Sequence, residues 1–178
     1  MPARFTQDDA QIVRVLTDWY LLTAEEVSLL TSRNIVSVRN RLRVLGFEPR
    51  KRGPWTTDGL QYLYTTAYER MGAVLHYPAQ KAFDFAFDEG WLSNRVHGGK
   101  RDLAKLPHDR RVVQFRFLLR HFLGDRLHAT QHYYNVYDNW GEGPDDHIMS
   151  DLFFYYVADN GRYPPFFTEI ENTAEHSY

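Results

Sequence analysis

The chain has 178 residues, 43% apolar and 16% aromatic, enough for one large domain or two small ones with their own cores, and this excludes general disorder. The lack of cysteine excludes a disulfide scaffold and a thiolate metal site; no apolar leader opens the chain and no apolar run approaches the roughly 20 residues of a membrane span, so a cytoplasmic protein without membrane contact is expected. The net charge of −2 divides unevenly, with nine Lys/Arg against seven Asp/Glu in residues 1–64, eleven against seven in 65–137 and one against nine in 138–178, so the whole-chain value excludes no class of partner.

Thr6 is placed to cap a first helix whose opening turn holds Asp8 and Asp9, favourable near the positive end of the helix dipole. Ile12, Val15, Leu16 and Trp19 follow at helical spacing and predict packing on the two helices after it. Thr23 and Glu26 form a capping box, which starts a second helix running to about Leu30 with Val27 and Leu30 inward. Thr31 and Ser32 form a turn, and a third helix is expected from about Arg33 to Leu45, closed by Gly46. Ile35, Val38, Leu42 and Leu45 make its buried stripe. Its opposite face carries Arg33, Val36, Ser37, Asn40 and Arg43, with Arg39 and Arg41 on the flanks. An apolar side on two preceding helices and a polar, basic side outward is the pattern of a recognition helix in the major groove, where Arg pairs with guanine and Asn with adenine.

Between Arg33 and Arg52 seven basic residues face only Glu48, a footprint suited to phosphates, although a solvated helix face would read the same way. Phe47 to Arg52 and Leu60 to Tyr64 are predicted to pair as a hairpin around Gly53, Pro54, Asp58 and Gly59, a wing whose first strand presents Arg50, Lys51 and Arg52. Thr65 or Thr66 is expected to cap a further helix to about Leu75, ended by Pro78. Phe83, Phe85 and Phe87 then alternate like a strand, and Gly98, Gly99, Lys100 and Arg101 read as a basic loop without an assigned function.

His108 to Leu123 is helical, with Val112, Phe115, Leu119 and Phe122 on one stripe and Val113 and Phe117 away from it, as for a helix buried between layers or at a dimer contact. Three strands are predicted next, Leu127 to Tyr137, Ile148 to Val157 and Phe166 to Glu171, with LFFYYV apolar on both faces. Asp151, Glu169 and Glu171 can share a divalent Mg or Mn ion at adjacent strand ends. Their spacing resembles the PD-(D/E)xK nuclease pattern, but Glu171 occupies the lysine position and removes a cation that the chemistry uses. His128 and His132 sit four apart on a strand, about 13 Å, too far to share a metal, and no HExxH, Walker, GxGxxG or GxSxG motif occurs.

LTAEEVSLL followed by VRNRLRVLGF, then YLYTT, PHDRRVVQF, SDLFFYY and FFTEIENTAE occur in an order that resembles the replication-relaxation family of plasmid- and phage-associated bacterial proteins. The resemblance implies a winged-helix DNA-binding domain joined to an endonuclease-like sheet, with Asp151, Glu169 and the Asn172–Thr173 step as pattern positions of no established catalytic role. Ser150 stands where a proline is common, Glu171 where an aspartate is common, and Tyr68 where a small residue is common.

The expected fold is therefore α+β: a winged helix-turn-helix over residues 1–77, a connecting segment over 78–106, and a sheet-plus-helix module resembling a restriction-endonuclease-like fold over 107–178 that ends before the fold would be complete. The expected function is sequence-specific binding of double-stranded DNA without catalysis or cofactor, in replication control or transcriptional regulation of a plasmid or phage, with a second copy or a replication protein as further partner. The expected DNA-binding residues are Arg33, Asn34, Ser37, Arg39, Asn40, Arg43, Arg50, Lys51 and Arg52. The alternative is a metal-dependent nuclease or nickase in which Asp151, Glu169 and Glu171 hold Mg or Mn.

Overall fold

A computed structural model describes residues 4–47, 50–52, 55–68, 72–93, 95, 96, 98, 103–135 and 149–170. The fold mixes helices with small antiparallel sheets, and the chain divides into two units, residues 1–101 and 102–178. Among the described residues no helix is long and apolar enough to cross a membrane.

The first unit runs α1 (Gln7–Trp19), β1 (Leu22–Thr23), α2 (Ala24–Thr31), α3 (Ile35–Leu45), β2 (Arg50–Arg52), β3 (Trp55–Thr57), β4 (Leu63–Tyr68), β5 (Ala73–Pro78) and α4 (Gln80–Asp88). Capping boxes start α1 and α2. The Asp9 carboxylate accepts from the Thr6 N–H at 2.7 Å, and the Thr23 N–H donates to Glu26 at 2.9 Å, so orphan backbone donors are satisfied within one turn. As the spacing predicts, α1 packs on α2 and α3. Ile12, Val13, Leu16, Val27, Val38, Leu42 and Leu45 are buried in the core of these helices. The turn is displaced towards the C-terminus: α2 runs one residue further than expected, through Thr31, Ser32 takes a left-handed conformation, and α3 opens two residues later, at Ile35 rather than Arg33. The cause is Asn34, whose side-chain oxygen accepts from the N–H groups of Val36 and Ser37 and so occupies the cap position.

The strand pairing departs from the sequence reading. The segment at Leu60 does not return against Phe47–Arg52. Instead β2 pairs with β3, Arg50 opposite Thr57, in a hairpin of its own. Thr65 caps no helix; it lies in β4, which pairs with β5 from Leu63–Pro78 to Tyr68–Ala73. β5 also pairs with β1, giving the order β1-β5-β4. The residues between β3 and β4 run back along the end of α3: the N–H groups of Leu60, Tyr62 and Gln61 donate to the carbonyls of Val44, Leu45 and Gly46. These carbonyls have no partner inside the helix, so the returning chain takes the place of a C-terminal cap. Gly59 sits so close that a Cβ there would lie 1.9 Å from the Gly46 oxygen.

Phe83, Phe85 and Phe87 belong to helix α4, not to a strand. The alternation of phenylalanines hides a second pattern of Ala79, Ala82, Phe83 and Ala86, all buried at helical spacing. Phe85 leaves that stripe to join Phe5, Tyr62 and Trp91 in an edge-on aromatic group with centroids 5.1 to 6.0 Å away. With α4 included, the first unit extends through residue 101, so α4 is part of it.

The second unit holds α5 (Leu106–Leu123) and a sheet of β6 (Leu127–Asn135), β7 (Met149–Tyr156) and β8 (Pro165–Thr168), in that order and antiparallel throughout. Val112 packs against Leu152 and Phe154, flanked by Phe115, Leu119 and Tyr156. Val113 is buried on a different side of α5, as a helix apolar on two sides requires, but Phe122 is not part of the buried stripe and is 73% exposed.

Candidate nucleic-acid interface

The outward face of α3 is built by the same residues that bury its inner face. At about 100° per residue, Val36, Asn40 and Arg43 fall within an arc of about 60° opposite Val38, Leu42 and Leu45. Val36, Ser37, Asn40 and Arg43 are all exposed. Among the described residues the side chains of Ser37, Asn40 and Arg43 have no hydrogen-bond or ion-pair partner, so their donors and acceptors remain available to a ligand.

The other arginines of this region are held by carboxylates distant in sequence. Arg33 donates to Asp8 at 2.5 Å and to Gln11 at 3.1 Å, tying the turn to α1. Arg39 donates to Glu25 at 2.5 Å across the surface of α2 and α3. Arg41 reaches the fully buried Asp9 and also donates to the Arg4 carbonyl at 3.1 Å. The hydrogen bond from Arg33 lowers the pKa of Asp8, and that from Arg39 lowers the pKa of Glu25, so both pairs are charged near neutrality. An exposed ion pair such as Arg39–Glu25 is worth only about 0 to 1 kcal/mol, little enough for a phosphate to displace the carboxylate. Arg41 has a structural role, because Asp9 also belongs to the cap of α1.

The nine expected DNA-binding residues therefore separate into groups. Ser37, Asn40 and Arg43 share one open face, Arg33 and Arg39 are paired at its margins, and the Asn34 side chain is engaged in capping α3. Arg50, Lys51 and Arg52 are consecutive on β2.

In the second unit, Asp151 is half-buried and already committed. Its Oδ2 accepts from the Ile170 N–H at 2.7 Å and lies 3.0 Å from His108 Nε2. Glu169 is exposed beyond the end of β8, and Glu171 with Asn172 and Thr173 lies outside the described residues. Among the described residues no three His, Asp or Glu side chains converge as a metal site would need. His128 lies on β6 beside Tyr155 and Tyr163, at ring distances of 5.6 and 5.3 Å. The pairing of His108 with Asp151 was not foreseeable from sequence, since 43 positions separate the two and no motif links them.

Comparison of the chain with family models, curated proteins and solved structures returned no significant match.

Proposed function

We propose that residues 6–78 form a winged helix-turn-helix that binds double-stranded DNA with sequence preference, and that the protein acts by binding rather than by catalysis. The observation that carries this reading is the open face of α3 with Val36, Ser37, Asn40 and Arg43, on a helix whose other side is locked into α1 and α2. The order helix, strand, helix, helix, strand, strand, with β1 against β5 and β5 against β4, supports the winged form. On this reading the wing is the β4–β5 hairpin, and the basic β2–β3 hairpin is an insertion between α3 and the sheet. Asn40 and Arg43 read base edges, Ser37 assists, and Arg39, Arg50, Lys51 and Arg52 contact phosphates. Following the replication-relaxation resemblance, the bound DNA belongs to a plasmid or phage whose replication or transcription the protein controls.

Selection of duplexes from a random library, followed by affinity measurements, tests the proposal. Asn40→Ala is expected to lower discrimination between the selected site and a scrambled one by about 1 to 3 kcal/mol. Replacing Arg50, Lys51 and Arg52 together by Ala is expected to weaken binding to both duplexes alike and reduce the slope of log affinity against log salt by about 3, at roughly 0.9 per lost phosphate contact. If selection enriches nothing, or if Asn40→Ala discriminates as well as the parent protein, the proposal fails.

A further inference from the structure

Resting on the DNA reading above, we infer that Val36 reads the 5-methyl group of a thymine, and that this thymine lies within two base pairs of the pair contacted by Asn40. Val36 is 62% exposed, an apolar side chain on a face that is otherwise polar. It lies opposite the buried stripe of α3, so packing within the chain does not account for it. The Asn34 oxygen bonds to the Val36 N–H at 2.9 Å and to the Ser37 N–H at 3.4 Å, which fixes the first turn of α3 before any ligand arrives. A β-branched residue in a helix keeps one strongly preferred rotamer, so the two methyl groups of Val36 point in a set direction.

In the major groove thymine is the base that presents a methyl group, and apolar side chains recognise it by contact. Asn40 lies one turn further along α3, about 6 Å of rise from Val36, which is about two base steps along one strand. Val36 and Asn40 are thus spaced to read a thymine and a nearby adenine together.

The test uses the full chain and the duplex it enriches from a random library, with each thymine replaced in turn by uracil, which keeps base pairing and removes only the methyl. At one position the replacement is expected to weaken binding about fourfold, the value of one buried carbon. Val36→Ala is expected to bind thymine and uracil forms equally, at the affinity the parent protein shows for the uracil form. The sensitive thymine is expected within two base pairs of the position where Asn40→Ala loses discrimination. Indifference of the parent protein to every replacement overturns the inference and leaves the DNA reading intact, as does a Val36→Ala protein that keeps the full thymine preference. Enrichment of no duplex overturns the DNA reading and this inference with it.

Discussion

His76 lies in the middle of the β1-β5-β4 sheet, between Leu22 on one side and Thr65 on the other, and is 8% exposed. Its Nδ1 sits 3.2 Å from the Thr65 hydroxyl. Burial disfavours the imidazolium and lowers the pKa from 6.5 to about 4, an effect that the nearby Glu25 carboxylate only partly opposes. Between these two values the unfolded chain holds a proton that the folded chain does not, so stability is complete above pH 6.5 and falls as the pH falls towards 4. At 1.36 kcal/mol per pH unit, the loss from this one residue is about 2 kcal/mol at pH 5 and about 3 kcal/mol at pH 4. His76→Leu removes the titration while keeping an apolar strand residue, and Thr65, which is exposed, turns to water. Urea unfolding followed by the fluorescence of the buried Trp19 at pH 7, 6 and 5 measures both proteins. Carboxylates other than Glu25 titrate alike in both, so the difference between the curves reports the titration of His76. The variant is expected to gain about 2 kcal/mol on the parent between pH 7 and pH 5. Parallel curves would refute the assignment of a neutral, buried imidazole.

Four further outcomes follow from contacts described above. Asp9→Asn, which leaves Arg41 without its carboxylate, is expected to cost about 3 kcal/mol in chemical denaturation, near the lower end for broken buried pairs. Asn34→Ala is expected to cost about 1 kcal/mol while Asn34→Asp costs almost nothing, because an aspartate oxygen caps α3 equally well; equal losses would show that capping is not what the side chain supplies. Gly59→Ala forces two backbone segments apart and is expected to cost about 2 kcal/mol, whereas Gly46→Ala, whose Cβ would meet its nearest neighbour at 3.6 Å, should melt within a degree or two of the parent. Asp151→Ala is expected to lower the stability of residues 102–178 by about 1 to 2 kcal/mol through loss of its contacts with His108 and Ile170. In a plasmid-nicking assay with magnesium or manganese the parent protein is expected to release no product; cleavage abolished in Asp151→Asn would instead support the nuclease alternative.

What could be read from the sequence was local. Thr6 with Asp9 and Thr23 with Glu26 lie three residues apart, and such pairs announce a helix start wherever they occur. The stripe of Val38, Leu42 and Leu45 repeats within one helix, and LFFYYV is strand-like without reference to its neighbours. The local pattern misleads where a distant partner decides the outcome. Thr65 to Leu75 carries acceptable helix signals, but β5 has edges on both sides that β1 and β4 fill, and this non-local pairing overrides the local preference. Phe83 to Phe87 shows the reverse case, in which small alanines between the rings supply the helical face. The open face of α3 was legible from its period. The partners of Arg33, Arg39 and Arg41 were not, because Asp8, Glu25 and Asp9 lie 14 to 32 positions away.

The β2–β3 hairpin leaves the fold and re-enters it at nearly the same point. Gly46 and Gly59 touch, the Gln61 N–H reaches the Gly46 oxygen at 3.1 Å, and Phe47 stacks on Tyr64 with centroids 4.7 Å apart. A loop whose two ends are already joined by the rest of the molecule adds length without changing what it is attached to. The hairpin can therefore be shortened, extended or exchanged as a cassette while α3 and β4 keep their places. Its reach and charge form a variable that evolution or an engineer can adjust independently of the open face of α3.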